Sequence, residues 1–276
     1  MKEIDTLGIS VVIRTRDKER HFEHLMRHLA RQTTQPAEII VVDNYSSKKK
    51  LKILRDGLKE AAEKCFPQGI GLQLITITDD EFSHAFSTNL GISAAENELV
   101  CITNAHSLPT STHWLQNGIK HFRDPKTAGV GGFFIPHRDE SALDNFYAMT
   151  YFLSQMTVLR QNRFCTVNCI IRKSLWKKYP FDENLPELFP ETKRYGLEDY
   201  DWSEEMIARN FKIIMDPSFS VFHSHENGFA EILRNVRNYF VYKRIQRKID
   251  LFSRPRKSLS KVLPATDYVQ SSEISN

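Results

Sequence analysis

The sequence has no long apolar run. Its longest apolar stretches, such as Ile9 to Ile13 and Ile39 to Val42, are strand-sized, whereas a helix that crosses a bilayer takes about 20 apolar residues; a membrane-spanning chain is not expected. Met1-Lys2-Glu3-Ile4-Asp5 carries two acids before any apolar stretch, so no secretory signal is expected either. Cysteine is scarce: Cys65, Cys101, Cys165 and Cys169 are the four in 276 residues, too few for a disulfide-stapled scaffold, and they read as reduced, buried small hydrophobes. Cys165-x3-Cys169 lies in strand-like surroundings, where residues four apart stand about 13 Å from each other, which argues against a shared zinc. With 11 Gly and 11 Pro the chain is neither collagenous nor low in complexity. It also lacks a GxGxxG or GxxxxGK loop and any internal repeat, so the common phosphate-cradling glycine motifs are missing.

What is present is the composition of an ordinary globular protein, 41% hydrophobic and 26% charged, long enough for one large α/β domain. Strands are expected at Ile9 to Ile13, Glu38 to Val42, Leu72 to Ile77, Leu99 to Thr103 and Ala128 to Phe134. Helical patterns at Glu19 to Gln32, Ser47 to Lys64, Thr88 to Glu96 and Thr112 to Phe122 alternate with them. Such a series winds into a mostly parallel sheet with helices on both faces, because parallel neighbours need crossovers. After Pro136 the alternation fails. An apolar helix (Leu143 to Leu159), a strand (Thr166 to Ile171), a Pro-rich loop (Pro180 to Pro190), an acidic helix (Gly196 to Arg209) and strands at Phe211 to Met215 and Phe219 to Phe222 are expected. A basic helix follows from about Gly228.

The net charge of +4 conceals an asymmetry: between Arg234 and Lys261 ten lysines and arginines face one acid, Asp250. The body is therefore acidic and the tail strongly basic. Three explanations stand for that tail: a solvated helix face, an anchor to anionic lipid with Phe240, Tyr242, Ile245, Ile249, Leu251 and Phe252 as apolar partners, or a nucleic-acid contact. The expected chain organisation is a domain over 1–227, with halves at about 8–135 and 136–227, and a basic extension over 228–276.

Open α/β sheets bind ligands outside the carboxyl ends of their strands. Those ends carry Arg14-Thr15-Arg16-Asp17, Asp43-Asn44, Asp79-Asp80-Glu81 and Asn104-Ala105-His106. Taken singly, Asp43-Asn44 and Asp79-Asp80 also suit turns and helix caps.

Three blocks in this order resemble family 2 glycosyltransferases, the inverting group with the GT-A fold. They are Ile9 to Asp17 with Glu38 to Ser46; Ser87 to Ala95 with Asn104 to Pro109 and Trp114-Leu115; and Gly196-Leu-Glu-Asp-Tyr-Asp-Trp202 with Val221 to His225. The likeness spans roughly residues 8 to 230, and its last two blocks are most similar to bacterial rhamnosyltransferase-type members. The resemblance implies transfer of a sugar from a UDP- or dTDP-linked donor to a glycan or lipid-linked glycan, in surface polysaccharide synthesis. It implies a cytoplasmic location, at the inner face of the cell membrane if the basic segment 234–261 meets anionic lipid; a nucleic-acid partner is not expected.

The implied roles follow the blocks. Arg14, Thr15, Arg16, Asp17, Asp43, Asn44, Asp79, Asn89, Asn104 and Ala105 would meet the nucleotide sugar. Asp199 would be the general base beside Glu198, and Asp201 and Trp202 would face the acceptor. The sequence departs from the family at its Asp-x-Asp metal motif, which reads Asn104-Ala105-His106. Losing both acids weakens Mg2+, while imidazole still suits Mn2+. His106, His223 and His225 are the implied metal set, with direct contact between these histidines and the phosphates as the other reading. Arg163 is a further candidate cation for the diphosphate. Two alternatives differ in class: a degenerate sugar-nucleotide-binding partner subunit, favoured by the missing acids, and a nucleotidylyltransferase, which would want a glycine-rich loop near Arg14.

Overall fold

The computed structural model describes residues 8–16, 22–44, 46–135, 163–223 and 229–251, together with Phe146. The parallel series appears as expected: β1 (Ile9–Thr15), α1 (Phe22–Ala30), β2 (Glu38–Asn44), α2 (Lys48–Cys65), β3 (Gly71–Ile77), α3 (His84–Ala94) and β4 (Leu99–Asn104). Then come β5 (Leu108–Pro109), α4 (Trp114–Ile119), β6 (Thr127–Gly131), β7 (Phe134–Ile135), β8 (Asn168–Arg172), α5 (Lys173–Lys178), α6 (Leu185–Leu188), α7 (Thr192–Tyr195), α8 (Glu198–Ala208), β9 (Lys212–Met215), β10 (Val221–Phe222) and α9 (Phe229–Asp250). The apolar helix expected at Leu143 to Leu159 lies outside the described residues, Phe146 excepted.

The main sheet has the order β3-β2-β1-β4-β8-β6-β9. It is parallel except at β8, which runs antiparallel to both β4 and β6. Side chains alternate across it as a period of two requires. Val11, Ile13, Ile39 and Val41 meet α1, α2 and α4 on one face. Val12, Ile40 and Val42 meet Leu90 and Ile92 of α3, Trp176 of α5 and Met206 of α8 on the other. Gly91 lets α3 lie close, since a Cβ there would stand 2.4 Å from Val12 Cγ1.

Several expected boundaries move. α3 starts four residues before Thr88, because Ser83 caps it by accepting from the Phe86 amide at 3.0 Å. The strand expected over Ala128 to Phe134 breaks after Gly131, where a Cβ on Gly132 would stand 1.6 Å from the Phe219 carbonyl. Its end, β7, joins β5 and β10 in a second, three-stranded sheet. The strand expected from Phe219 is shortened to Val221–Phe222 because Asp216 caps a 3₁₀ turn over Pro217–Phe219. Thr112 to Phe122 becomes α4 followed by a 3₁₀ turn, Lys120–Arg123. The Pro-rich loop contains the short helix α6, which starts with Pro186 in its first turn.

α9 packs onto this body rather than standing off it. Ile245 and Ile249 are fully buried in a cluster with Leu185, Phe189, Leu197 and Tyr200. The Tyr200 hydroxyl donates to Asp250 at 2.7 Å, and Lys248 pairs with Glu191 at 2.6 Å.

Candidate active site

Parallel register sets the strand ends side by side: Thr15 lies opposite Asp43, and Arg14 opposite Asn104. Because β8 runs the other way, it is its start that reaches this edge, with Asn168 opposite Thr103 and Thr166 just before it.

Arg14 does not face an open diphosphate site. Its side chain is 10% exposed. The guanidinium donates to Thr88 Oγ1 at 3.0 Å, Asn104 Oδ1 at 3.3 Å and Thr166 Oγ1 at 3.0 Å, and stands 3.9 Å from Glu198 Oε1. It ties β1, α3, β4, the entry to β8 and the start of α8 together. Thr88 and Thr166 thus belong to the site although sequence did not single them out. Thr88 is the neighbour of Asn89 within the block Ser87 to Ala95; Thr166 carries no sequence signal, since only the antiparallel insertion of β8 delivers it.

Glu198 and Asp199 open α8 from inside the protein, at 3% and 8% exposure. Gly196 (φ 72°) and Leu197 (φ 81°) turn the chain into the helix through left-handed conformations. For leucine that is a strained backbone of the kind that gathers at active sites. A side chain on Gly196 would also start 2.9 Å from Glu198 Oε2. Asp199 Oδ2 accepts from the Thr166 amide at 2.9 Å, and Oδ1 from the Tyr200 amide at 2.7 Å. Burial first, and then the neighbouring Glu198 charge, push the Asp199 carboxyl up to about 6, against the pull of those amides. Burial raises Glu198 as well, opposed chiefly by the Arg14 charge. Its Oε1 accepts from Thr166 Oγ1 at 3.3 Å, while Oε2 is buried with no hydrogen-bond partner among the described residues.

The other expected residues divide. Asp43 is buried and takes the Ser46 amide at 3.0 Å and the Ser46 hydroxyl, so it serves as a turn former at the strand end. Asn44 accepts from Ser87 at 2.7 Å. Thr15 is buried beside Asp43, Arg16 is exposed, and Asp79 is exposed two residues past β3. Asn89 is not at a ligand surface. Its amide nitrogen donates to the Phe181 carbonyl at 2.9 Å and Glu183 at 2.6 Å, while its oxygen accepts from Trp176 Nε1 at 2.8 Å and the Phe181 amide at 3.2 Å. Trp202 is likewise a core residue and not an acceptor platform: it is 2% exposed, donates to the Tyr179 carbonyl at 2.6 Å and packs on Phe164 and Phe181. Asp201 is buried one position before it, its amide closing the first turn on the Leu197 carbonyl at 3.0 Å. Arg163, a candidate phosphate cation, is paired with Glu204 on α8. Asp17 and His225 lie outside the described residues.

At the end of β4, Ala105 is fully buried and Asn104 Oδ1 already receives Arg14. The His106 and His223 rings stack with centroids 4.5 Å apart, and Ser107 Oγ lies 2.9 Å from His223 Nδ1. Among the described residues no group of three or more His, Cys, Asp or Glu side chains is arranged to hold a metal ion. Two imidazoles without a carboxylate suit Mg2+ poorly, because that ion takes oxygen ligands.

The profile of Glycosyl transferase family 2 matches residues 10–179. No curated protein sequence matches the chain. Among solved structures, a mannosyltransferase from Pyrobaculum calidifontis in complex with GDP-Man and Mn2+ is similar with a TM-score of 0.65 at 17% identity, over 91% of this chain and 67% of that one. TarS residues 1–349 from S. aureus gives 0.53 at 16% identity, over 91% and 67%. Glucosyl-3-phosphoglycerate synthase from Mycobacterium tuberculosis in complex with Mn2+, UDP and phosphoglyceric acid gives 0.52 at 14% identity, over 96% and 86%. At such identities the likeness establishes the GT-A fold.

Proposed function

We propose that the chain, which belongs to glycosyl transferase family 2, moves a sugar from a UDP- or dTDP-linked donor to a glycan or lipid-linked glycan with inversion, as in building bacterial surface polysaccharide. The observation that carries this reading is Asp199, a carboxylate buried in the first turn of α8 against Thr166 beside the strand ends and pushed up to about 6 by that burial and the Glu198 charge. A general base works best with a pKa near the operating pH, and burial beside a second acid supplies that shift. In a single displacement the acceptor oxygen bonds to the anomeric carbon, the bond from that carbon to the diphosphate oxygen breaks, and the acceptor proton passes to Asp199. The Thr166 and Tyr200 amides hold the carboxylate at one angle, which keeps it aimed at a hydroxyl rather than free to rotate.

In this reading the nucleotide lies at the ends of β1 and β2, where Thr15 stands opposite Asp43 and Asn44 follows it. The solved relatives bound to GDP-Man and to UDP support a nucleotide-diphosphate site of this kind. His106 and His223 would hold a divalent ion, Mn2+ in preference to Mg2+, and that ion would supply positive charge to the departing diphosphate. The two imidazoles can also donate to phosphate oxygens themselves. A second reading, binding without turnover, is favoured by the absence of acids at Asn104-Ala105-His106 and by the commitment of Asn104 to Arg14.

A thermal-shift panel of UDP, dTDP and GDP, followed by product analysis with the nucleotide sugar of whichever binds, tests both readings. Stabilisation by UDP or dTDP with release of the diphosphate and an inverted product supports the transferase. Stabilisation with no turnover on any glycan acceptor leaves the binding subunit.

A further inference from the structure

The outer face of α9 carries a regular pattern of exposed apolar and basic side chains. Ile245 and Ile249 point into the protein, fully buried. On the opposite side, Phe240, Arg244, Arg247 and Leu251 follow one another at helical spacings of four, three and four residues, and all four are exposed. Phe240 is 68% exposed and Leu251 87%, among the most exposed large hydrophobics of the described residues. They stand about 16 Å apart along the axis, at 1.5 Å per residue, with the two arginines between them and Lys248 alongside. The sequence then continues through Phe252, Arg254, Arg256, Lys257 and Lys261 with no acid before Asp267.

We propose that this face docks on an anionic lipid bilayer. Apolar side chains with cations between them match the two layers of a membrane surface: the phenyl and leucyl groups enter the acyl boundary while the guanidinium groups meet headgroup phosphates. A nucleic acid would use the cations and leave Leu251 in water. Arg244 and Lys248 also pair with Glu191, at 3.5 and 2.6 Å, whereas Arg247 makes no ion pair among the described residues. Among the described residues no helix is long and apolar enough to cross a membrane, so the contact is peripheral. The placement has a consequence for the proposed transfer. The inner side of α9 meets the catalytic segment directly, through Tyr242 against Tyr195 with ring centroids 5.3 Å apart and through Asp250 against Tyr200. A bilayer on the outer side would lie about one helix diameter, roughly 10 Å, from that segment, within reach of an acceptor carried on lipid.

The test is co-sedimentation of the full chain with vesicles of phosphatidylcholine alone and of phosphatidylcholine mixed with phosphatidylglycerol. The full chain should sediment with the mixed vesicles and not with phosphatidylcholine. The paired change Phe240→Ser, Leu251→Ser should lower the bound fraction about tenfold at physiological salt, and Arg247→Glu should do so by a similar factor. All three positions are exposed, so melting temperatures should stay at the unsubstituted value and report that the fold is kept. Binding by the serine pair equal to that of the unsubstituted chain would show that the tail charges act alone and would overturn the assignment of this face. So would binding to a homopolymeric RNA with no vesicle binding. Nucleotide-diphosphate binding, read by thermal shift, should be unchanged in these variants, so this inference and the transferase reading fail separately.

Discussion

Two buried polar clusters lie on the same side of the sheet, and they differ in how completely they are satisfied. Around Asn89, each donor and acceptor of the amide is used: two protein acceptors for its nitrogen and two protein donors for its oxygen. Around Glu198 and Asp199, two carboxylates share the Thr166 hydroxyl, one guanidinium at 3.9 Å, two backbone amides and, at Asp199, the Cys165 thiol, and Glu198 Oε2 has no hydrogen-bond partner among the described residues. A saturated cluster fastens α3 to the segment after α5 and has nothing left to offer a ligand. An undersatisfied one retains charge that burial makes unstable, which is the condition in which a carboxylate takes up a proton readily.

The largest expected effect tests that contrast directly. Asp199→Asn should lower turnover by about 100-fold or more, the usual worth of a general base, with nucleotide-diphosphate binding retained. The same change removes the buried charge but sets an amide nitrogen against one of the two backbone N–H donors, so its stability should vary less with pH than that of the unsubstituted protein. A carboxyl raised to about 6 binds its proton more tightly in the folded chain than in the unfolded one. This group's contribution to folding is therefore fully present below the ordinary carboxylate range and is lost as the pH rises to about 6, by on the order of 1–3 kcal/mol in all. A stability that falls no further between about pH 4 and 6 in the unsubstituted protein than in Asp199→Asn, read by denaturant titration, would remove the strained-charge account.

Asn89→Ala should do the reverse. It strands the Trp176 indole, the Phe181 amide and carbonyl and Glu183, so a loss of about 3 kcal/mol is expected, with turnover per folded molecule unchanged. Denaturant titration paired with active-fraction kinetics checks it; a selective loss of turnover would return Asn89 to the ligand site. Arg14→Met should combine the two behaviours, because it leaves Glu198 buried without its counter-charge. A loss of about 3 kcal/mol is expected, together with a shift of the acidic limb of the rate profile to higher pH.

A smaller effect is the pH profile itself. Turnover should fall about tenfold per pH unit below about 6, as Asp199 protonates; a flat profile down to pH 5 would assign the base elsewhere. Smallest is the ion preference, in which Mn2+ should restore chelator-treated protein several-fold better than Mg2+. His106→Ala should abolish that difference, whereas full activity in excess chelator would leave the two imidazoles as direct phosphate donors.

The contrast between the clusters also separates what could be read in the chain from what could not. Strand-sized apolar runs alternating with amphipathic stretches determined a mostly parallel α/β sheet, since parallel neighbours need helical crossovers and the period of each segment names its type. Glu198-Asp199 was legible too, as a block in the right order. Tertiary structure decided the rest. It sent β8 back against β4, and so brought Thr166 to Asp199; no local pattern encodes strand direction. It turned Arg14 inward and made Asn89 and Trp202 part of the core, because the partners that claim them are 74 to 152 residues away for Arg14, 87 to 94 for Asn89 and 23 for the Trp202 indole. It also divided the basic helix into a buried isoleucine seam and an exposed arginine face. A sequence states which side chains are polar; only the folded chain determines which of them are already satisfied, because hydrogen bonds and desolvation are settled by neighbours in space.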